Sequence, residues 1–103
     1  MKILVIIEHD NKLVKQSSYS TITAASQIGD EIEAIIIGEN LQDVINDLKT
    51  SDHLKKIHYI DNKIFKGFLA ENVSDAVIKF VEGKNFTHIL SPASTFGKNL
   101  LPK

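Results

Sequence analysis

Residues 3–7 read Ile3-Leu4-Val5-Ile6-Ile7, and this stretch decides the fold. All five residues are apolar and four are β-branched, which favours a strand. A strand with one face in water alternates apolar and polar residues, whereas a continuous run is typical of a strand covered on both faces. Glu8 ends the run too early for a secretion signal or a membrane span. We therefore expect a buried first strand, in a cytoplasmic protein or one made without its targeting segment.

Working outward from this run, short apolar segments alternate with longer segments of helical periodicity. The pattern predicts further strands at residues 32–37, 57–60 and 87–90, and helices at residues 17–28, 41–48 and 69–81. Gly29 and Gly83 follow the first and third helices and are placed to end them. Asn40 is predicted to cap the second helix, with Asp43 in its first turn answering the free amides.

Each predicted helix carries an apolar stripe that should face the sheet. The stripes are Ile22, Ala25 and Ile28 in the first helix; Leu41, Val44, Ile45 and Leu48 in the second; and Leu69, Val73, Ala76, Val77, Phe80 and Val81 in the third. Phe80 is therefore interpreted as a core residue and not as part of a cofactor site.

Regular alternation of strands and helices predicts an α/β fold, a Rossmann-like three-layer parallel sheet with helices on both faces. If the first and fourth strands are neighbours, a crevice should lie beyond their carboxyl ends, at residues 8–11 and 91–97. Leu100 and Leu101 begin a further helix that does not continue. The sequence thus predicts one partial domain over residues 1–103, incomplete at its C-terminus.

Composition excludes several classes of site. The chain has no cysteine, which excludes disulfides, cysteine-ligated zinc and iron–sulfur clusters. A net charge of -1 gives no support to nucleic-acid binding. Lysines are dispersed among acids at positions 55, 56, 63, 66, 79 and 84, as on solvated surfaces. We expect no nucleic-acid partner and no membrane insertion.

Phosphate-binding motifs are absent from the sequence. Gly97-Lys98 resembles the end of a Walker A loop, but Pro92 stands where the first glycine is required and Asn99 where Ser or Thr is required. The five glycines are too far apart for a dinucleotide fingerprint.

Two polar clusters were weighed for chemistry. Glu8-His9-Asp10 are consecutive, so their side chains point to different sides, and we interpret them as a strand end entering a solvated loop. His53 is expected on the surface, and His58 and His88 as satisfied or edge histidines in strands. The sequence therefore predicts no catalytic residue and no metal site.

Hydroxyl groups at the end of the fourth strand allow two roles. Ser94 or Thr95 can cap the helix that follows. They can also contact an anion or nucleotide at the switch point. The two roles are compatible, and Ser94 and Thr95 are the only candidate cofactor contacts.

Four segments carry a resemblance to a known family. Residues 87–103 (THILSPASTFGKNLLPK) resemble the segment in which a strand leads into a helix in alpha subunits of electron transfer flavoproteins. Residues 6–11 (IIEHDN), 21–25 (TITAA) and 69–73 (LAENV) are similar to the first strand, first helix and a later helix entry of that family. Lys103 stands where the family often has arginine.

This resemblance implies an adenine nucleotide alpha hydrolase-like domain of a heterodimeric electron carrier. The family's alpha and beta subunits together bind one FAD, and AMP sits in the beta subunit. The carrier takes electrons from flavin dehydrogenases, such as acyl-CoA dehydrogenases of fatty acid beta-oxidation, and passes them to a respiratory quinone oxidoreductase. The flavin contacts belong to the alpha subunit's C-terminal domain, so none is assigned to this chain.

The implied role is structural: a domain that contacts the beta subunit, in the bacterial cytoplasm or the mitochondrial matrix. Two alternatives stay open at this point. One is a small stand-alone adenine-nucleotide-binding domain that uses the crevice. The other is a non-functional gene remnant, which should lack a cooperative melting transition.

Overall fold

The computed structural model describes residues 2–10, 12–63 and 70–92, but not the side chains of residues 70–74. Strands and helices alternate through these residues: β1 (Lys2–Ile6), α1 (Gln16–Ile28), β2 (Glu31–Gly38), α2 (Gln42–Leu48), β3 (Lys56–Asp61), α3 (Ala70–Val81) and β4 (His88–Leu90). The predicted alternation is confirmed, and both ends of each strand lie within one residue of the predicted ends. The helix predicted to begin at Leu100 lies outside the described residues.

All four strands run parallel, in the order β3-β2-β1-β4. β1 lies at the centre, where Ile3 pairs with Ile32 of β2 on one side and His88 of β4 on the other. The predicted neighbourhood of the first and fourth strands is therefore confirmed. β2 and β3 lie on one side of β1, and β4 lies on the other side. The order of the strands therefore reverses between β1 and β4, which makes this position the switch point.

Alternate residues of β1 pack on opposite faces of the sheet. Ile3 and Val5 belong to a cluster with residues of α1 and α2, namely Ile22, Ala25, Val44 and Leu48. Leu4 and Ile6 belong to a second cluster, which contains Val77 of α3. Helices thus cover both faces, and the predicted three-layer α/β fold is confirmed.

Helix α1 buries a stripe that differs from the predicted one. Ser18, Ile22 and Ala25 are buried, whereas Ile28 is 44% exposed. The prediction for Ile28 was wrong because the helix reaches its end there and passes the edge of the core. Gly29 closes the helix by donating its backbone N–H to the Ala25 carbonyl at 3.1 Å.

The start of α2 also differs from the prediction. Asn40 does not cap the helix: it takes a left-handed φ of 58°, which asparagine tolerates better than most residues, and forms the preceding turn. Leu41 occupies the N-cap position. The turn before the helix is held by Asp61 at the end of β3, whose carboxylate accepts the amides of Asn40 and Leu41 at 3.0 Å each. Asp43 lies in the first turn as predicted.

Helix α3 ends where the sequence predicted. Gly83 has a φ of 74°, a conformation that glycine adopts without steric cost. Lys84 then donates its amide to the Val81 carbonyl and its Nζ to the Phe80 carbonyl, at 3.1 and 2.6 Å. Phe80 packs against the second core cluster, so its interpretation as a core residue is confirmed.

A cluster of polar side chains lies beneath α3 at the amino end of the sheet. Glu33 of β2 is 6% exposed and binds His58 of β3, Oε1 to Nε2, at 2.6 Å. Lys2 of β1 lies 3.8 Å from the other Glu33 oxygen. Phe80 stacks on the His58 ring, with 4.8 Å between ring centroids. His58 is thus a satisfied histidine on an outer strand, as predicted, and it gives the buried carboxylate a partner.

We predict that Asp61→Ala destabilises the chain by about 1–2 kcal/mol, because two backbone amides lose a charged acceptor. The substitution leaves the amides of Asn40 and Leu41 without their acceptor. Urea denaturation followed by circular dichroism measures the free energy of unfolding. Asp52→Ala, in the exposed turn before β3, is the matched control and should change stability by less than about 0.5 kcal/mol. Equal losses for the two variants would show that Asp61 does not stabilise the turn before α2.

Candidate functional site

The crevice expected at the switch point would lie beyond the carboxyl ends of β1 and β4, where residues 7–10 and 12–15 follow β1 and where Ser91 and Pro92 follow β4. Parallel α/β sheets bind their ligands at this position. The residues after β1, here called the first loop (residues 7–15), determine what the described part of the crevice can bind.

Ser18 of α1 holds the start of the first loop. Its hydroxyl accepts the Glu8 amide at 2.7 Å and donates to the Glu8 carbonyl at 3.1 Å. The same carbonyl accepts the Lys15 amide at 2.9 Å. Lys15 Nζ also lies 3.6 Å from the Glu8 carboxylate, a partly exposed ion pair of small energetic value.

His9 is buried, at 4% exposure. Its Nε2 lies 3.1 Å from the Ile37 carbonyl, and because a carbonyl only accepts, Nε2 carries the hydrogen. Burial lowers the pKa of His9 below its ordinary value, since the charged imidazolium loses hydration. The ring also lies against Gly38, where an added Cβ would come within 3.2 Å of His9 and 3.0 Å of Leu41.

The interpretation of Glu8-His9-Asp10 as a strand end in a solvated loop was therefore wrong for His9 and right for Asp10. The exposed Asp10 carboxylate accepts the amides of Leu13 and Lys12, at 2.8 and 3.0 Å. Both hydrogen bonds stabilise the charged carboxylate and hold the pKa of Asp10 below its ordinary value, and the one from Leu13 has the larger effect. His9 turns inward because β2 extends past β1 and offers it the Ile37 carbonyl.

Asp47 of α2 fixes the far end of the first loop. Its Oδ2 accepts the Val14 amide at 2.8 Å and the Tyr19 hydroxyl at 3.1 Å. Burial raises the pKa of Tyr19, because the phenolate would lose hydration. Asp47 and Tyr19 carried no sequence signal, because their contact spans residues far apart in the chain. The sequence did carry a signal for Ser18, because it precedes Ile22 and Ala25 at helical spacing and so belongs to the same buried face of α1.

The first loop uses its backbone amides internally. Seven of them donate to the protein itself: those of Ile7, Glu8, Asp10, Lys12, Leu13, Val14 and Lys15. A phosphate-binding loop does the opposite and turns its amides towards the ligand. The first loop is therefore built as a structural brace rather than as an anion cradle.

On the opposite side of the crevice, the Ser91 hydroxyl is buried and has no hydrogen-bond partner within the described part of the chain. Ser94 and Thr95, the predicted capping or anion-contacting residues, lie outside the described residues, so both roles stay predictions. Among the described side chains, those of residues 2–10, 12–63 and 75–92, no three His, Asp or Glu converge on a metal-binding arrangement. Among the helices that the structure describes, none is long and apolar enough to cross a membrane.

Known proteins match the chain along its whole length. The family model described as electron transfer flavoprotein domain matches residues 3–103. The electron transfer flavoprotein subunit alpha of Pseudomonas aeruginosa is 36% identical over 103 residues, which cover 100% of the chain and 33% of that relative. The mitochondrial alpha subunit of Dictyostelium discoideum is 35% identical over 106 residues, covering 97% of the chain and 30% of that relative. The chain thus spans about a third of the length of these curated relatives, and the resemblance carried by residues 87–103 is confirmed.

Asp47→Ala should lower the free energy of unfolding by about 1–3 kcal/mol, because a part-buried amide and a part-buried hydroxyl lose their acceptor. Chemical denaturation measures this loss. Asp43→Ala on the exposed side of the same helix removes a carboxylate that makes no such contact, and should cost less than about 1 kcal/mol. A loss no larger than that of the control would show that Asp47 does not brace the loop.

The stability of the chain should depend on pH through His9. Because the folded-state pKa of His9 is lowered, the unfolded chain takes up the proton first as pH falls. Stability is therefore fully present above about pH 6.5 and decreases below it. His9→Gln can still donate to the Ile37 carbonyl but does not titrate. Its stability should decrease less than that of the wild type between about pH 7.5 and about pH 5.5, and an equal decrease would contradict this assignment.

Proposed function

This chain belongs to the electron transfer flavoprotein family, and we propose that it acts as the N-terminal structural domain of an alpha subunit. In this proposal the complete heterodimer carries electrons from flavin dehydrogenases, such as acyl-CoA dehydrogenases, to a respiratory quinone oxidoreductase. The chain contributes contacts with the beta subunit and no catalytic group. The resemblance of residues 6–11 and 87–103 to alpha subunits supports this role.

The observation that carries the structural role is the bracing of the first loop. In a nucleotide-binding α/β domain, the loop after the first strand offers free amides to the phosphates. Here those amides donate to Ser18, Asp10, Asp47 and loop carbonyls. Offering them to a phosphate would break hydrogen bonds at about 1 kcal/mol each. The crevice is therefore poorly suited to a nucleotide and well suited to a rigid scaffold.

FAD is assigned to the complete heterodimer and not to this chain. A flavin dinucleotide needs a cradle for its pyrophosphate, and the first loop does not fit one because its amides are already bonded. In this proposal AMP is held by the beta subunit. The relatives' names refer to a flavoprotein and to subunits, in keeping with a shared cofactor.

The names of the relatives also guide the proposed location. One relative is bacterial, and others are described as mitochondrial. We place the chain in the cytoplasm if it is bacterial and in the mitochondrial matrix if it is eukaryotic.

One observation favours a second candidate, a stand-alone adenine-nucleotide-binding domain. The Ser91 hydroxyl is buried at the switch point without a hydrogen-bond partner in the described residues, and an anion could supply one. Isothermal titration calorimetry with AMP and ATP distinguishes the two candidates. Micromolar binding would favour the nucleotide-binding domain, and no heat of binding would favour the structural one.

The chain should retain no flavin by itself and should bind the beta subunit. We predict that the purified chain, mixed with FAD and desalted, shows no isoalloxazine absorbance. The tagged chain, co-expressed with the beta subunit of its own organism, should retain that subunit on an affinity resin, and the tag alone is the control. Stoichiometric flavin on the isolated chain would contradict the assignment of FAD to the heterodimer. Loss of the beta subunit in the wash would contradict the proposed contact role.

A further inference from the structure

His9 joins the first loop to the junction between β2 and α2. Its ring is buried, and its Nε2 donates to the carbonyl of Ile37, the next-to-last residue of β2. The ring occupies space that Gly38 leaves open, because a Cβ on Gly38 would come within 3.2 Å of the ring atom Cε1. Gly38 does not take a positive φ, so what this glycine provides is room for the ring.

The two ends of the first loop are held by contacts that do not involve His9. Ser18 of α1 holds Glu8 through two hydrogen bonds, at 2.7 and 3.1 Å. Asp47 of α2 accepts the Val14 amide at 2.8 Å, and the Val14 side chain is buried in the core. The His9 ring can therefore leave the junction without releasing either end of the loop.

We propose that His9 is a pH-dependent conformational switch: at acid pH its ring takes up a proton and turns out of the β2–α2 junction into water, while the sheet stays folded. Burial lowers the pKa of His9, because the charged ring is better hydrated outside the junction than within it. Turning out breaks the hydrogen bond to Ile37 and the packing against Gly38, whereas unfolding breaks the whole core. The local opening thus requires less free energy than unfolding.

The charged groups that act on the ring belong to the loop that carries it. Glu8 and Asp10 favour the charged ring, and Lys15 opposes it. Beside the ring, β2 and the start of α2 contribute neutral groups: the Ile37 carbonyl, Gly38 and Leu41. Because Glu8 and Asp10 are its neighbours in the chain, they remain close to the ring when it turns outward. The outward imidazolium keeps their favourable charges and gains hydration.

The switch changes the charge of the first loop. At neutral pH the charged side chains of the loop balance, with Glu8 and Asp10 against Lys12 and Lys15. The outward imidazolium adds one positive charge to this surface. Since the loop follows β1 at the switch point, the side of the expected crevice that it forms becomes positive at acid pH.

NMR spectra of the 103-residue chain between about pH 7.5 and about pH 4.5 test the switch. Loss of signals in His9→Gln assigns those of the His9 ring. At the upper pH these signals should be shielded from a neutral, water-soluble gadolinium chelate, and the chelate should broaden them once the ring titrates. The amides of Leu4 and Val5, both fully buried, should stay shielded. The proposal is overturned if the ring does not titrate in this range, if it titrates but stays shielded, or if these two amides lose shielding with it.

Gly38→Ala should raise the midpoint of the His9 titration towards about pH 6.5, because the added Cβ crowds the buried ring and not the outward one. Gly83→Ala is the matched control. It adds the same methyl group at the end of α3, where nothing lies within 4 Å, and strains a φ of 74°. It should therefore lower stability without moving the midpoint.

Circular dichroism checks that both variants are folded at pH 7.5, the starting point of the titration, which is about one unit above the ordinary pKa of histidine. An unchanged midpoint in Gly38→Ala, or an equal shift in Gly83→Ala, would also overturn the switch. None of these measurements involves flavin or the beta subunit, so their outcome is independent of the proposed function.

Discussion

The structure depends on the burial of β1 on both faces. Ile3, Leu4 and Val5 are fully buried, and their strand has a parallel neighbour on each side. A five-residue strand in this position cannot satisfy its backbone groups unless both neighbours are present. It cannot bury its side chains unless α1 and α2 cover one face and α3 the other. Helix placement, strand order and the position of the crevice all follow from this requirement.

Patterns within single elements predicted most of the fold. Runs such as Ile3–Ile7 report burial on both faces, and helical stripes report which side of a helix meets the sheet. The predictions fail at element ends. Ile28 fits its stripe by spacing but lies past the edge of the core, and Asn40 has the composition of a cap but takes the conformation of a turn. At such ends the geometry of neighbouring elements decides, and a local pattern carries no information about them.

The candidate site was less predictable than the fold. Sequence placed the switch point correctly, because its position follows from strand order. It did not reveal that Asp47 accepts the Val14 amide across 33 positions, or that His9 turns inward to Ile37 across 28. These contacts are single hydrogen bonds between distant residues, and no periodicity encodes them. Yet they decide that the loop is a brace, so the functional interpretation depended on the structure.

The hydrogen bonds from the turn before α2 to Asp61 have a consequence for the order of folding. α2 has seven residues, too few to form a stable helix alone, because nucleation is costly. The carboxylate that holds its N-terminal turn belongs to the following strand, 20 residues beyond Leu41. The helix thus gains its full stability only when β3 has docked beside β2. We therefore expect α2 and β3 to fold as a single cooperative unit. Although α2 is short and its contacts are local, it should form only as fast as β3 pairs with β2.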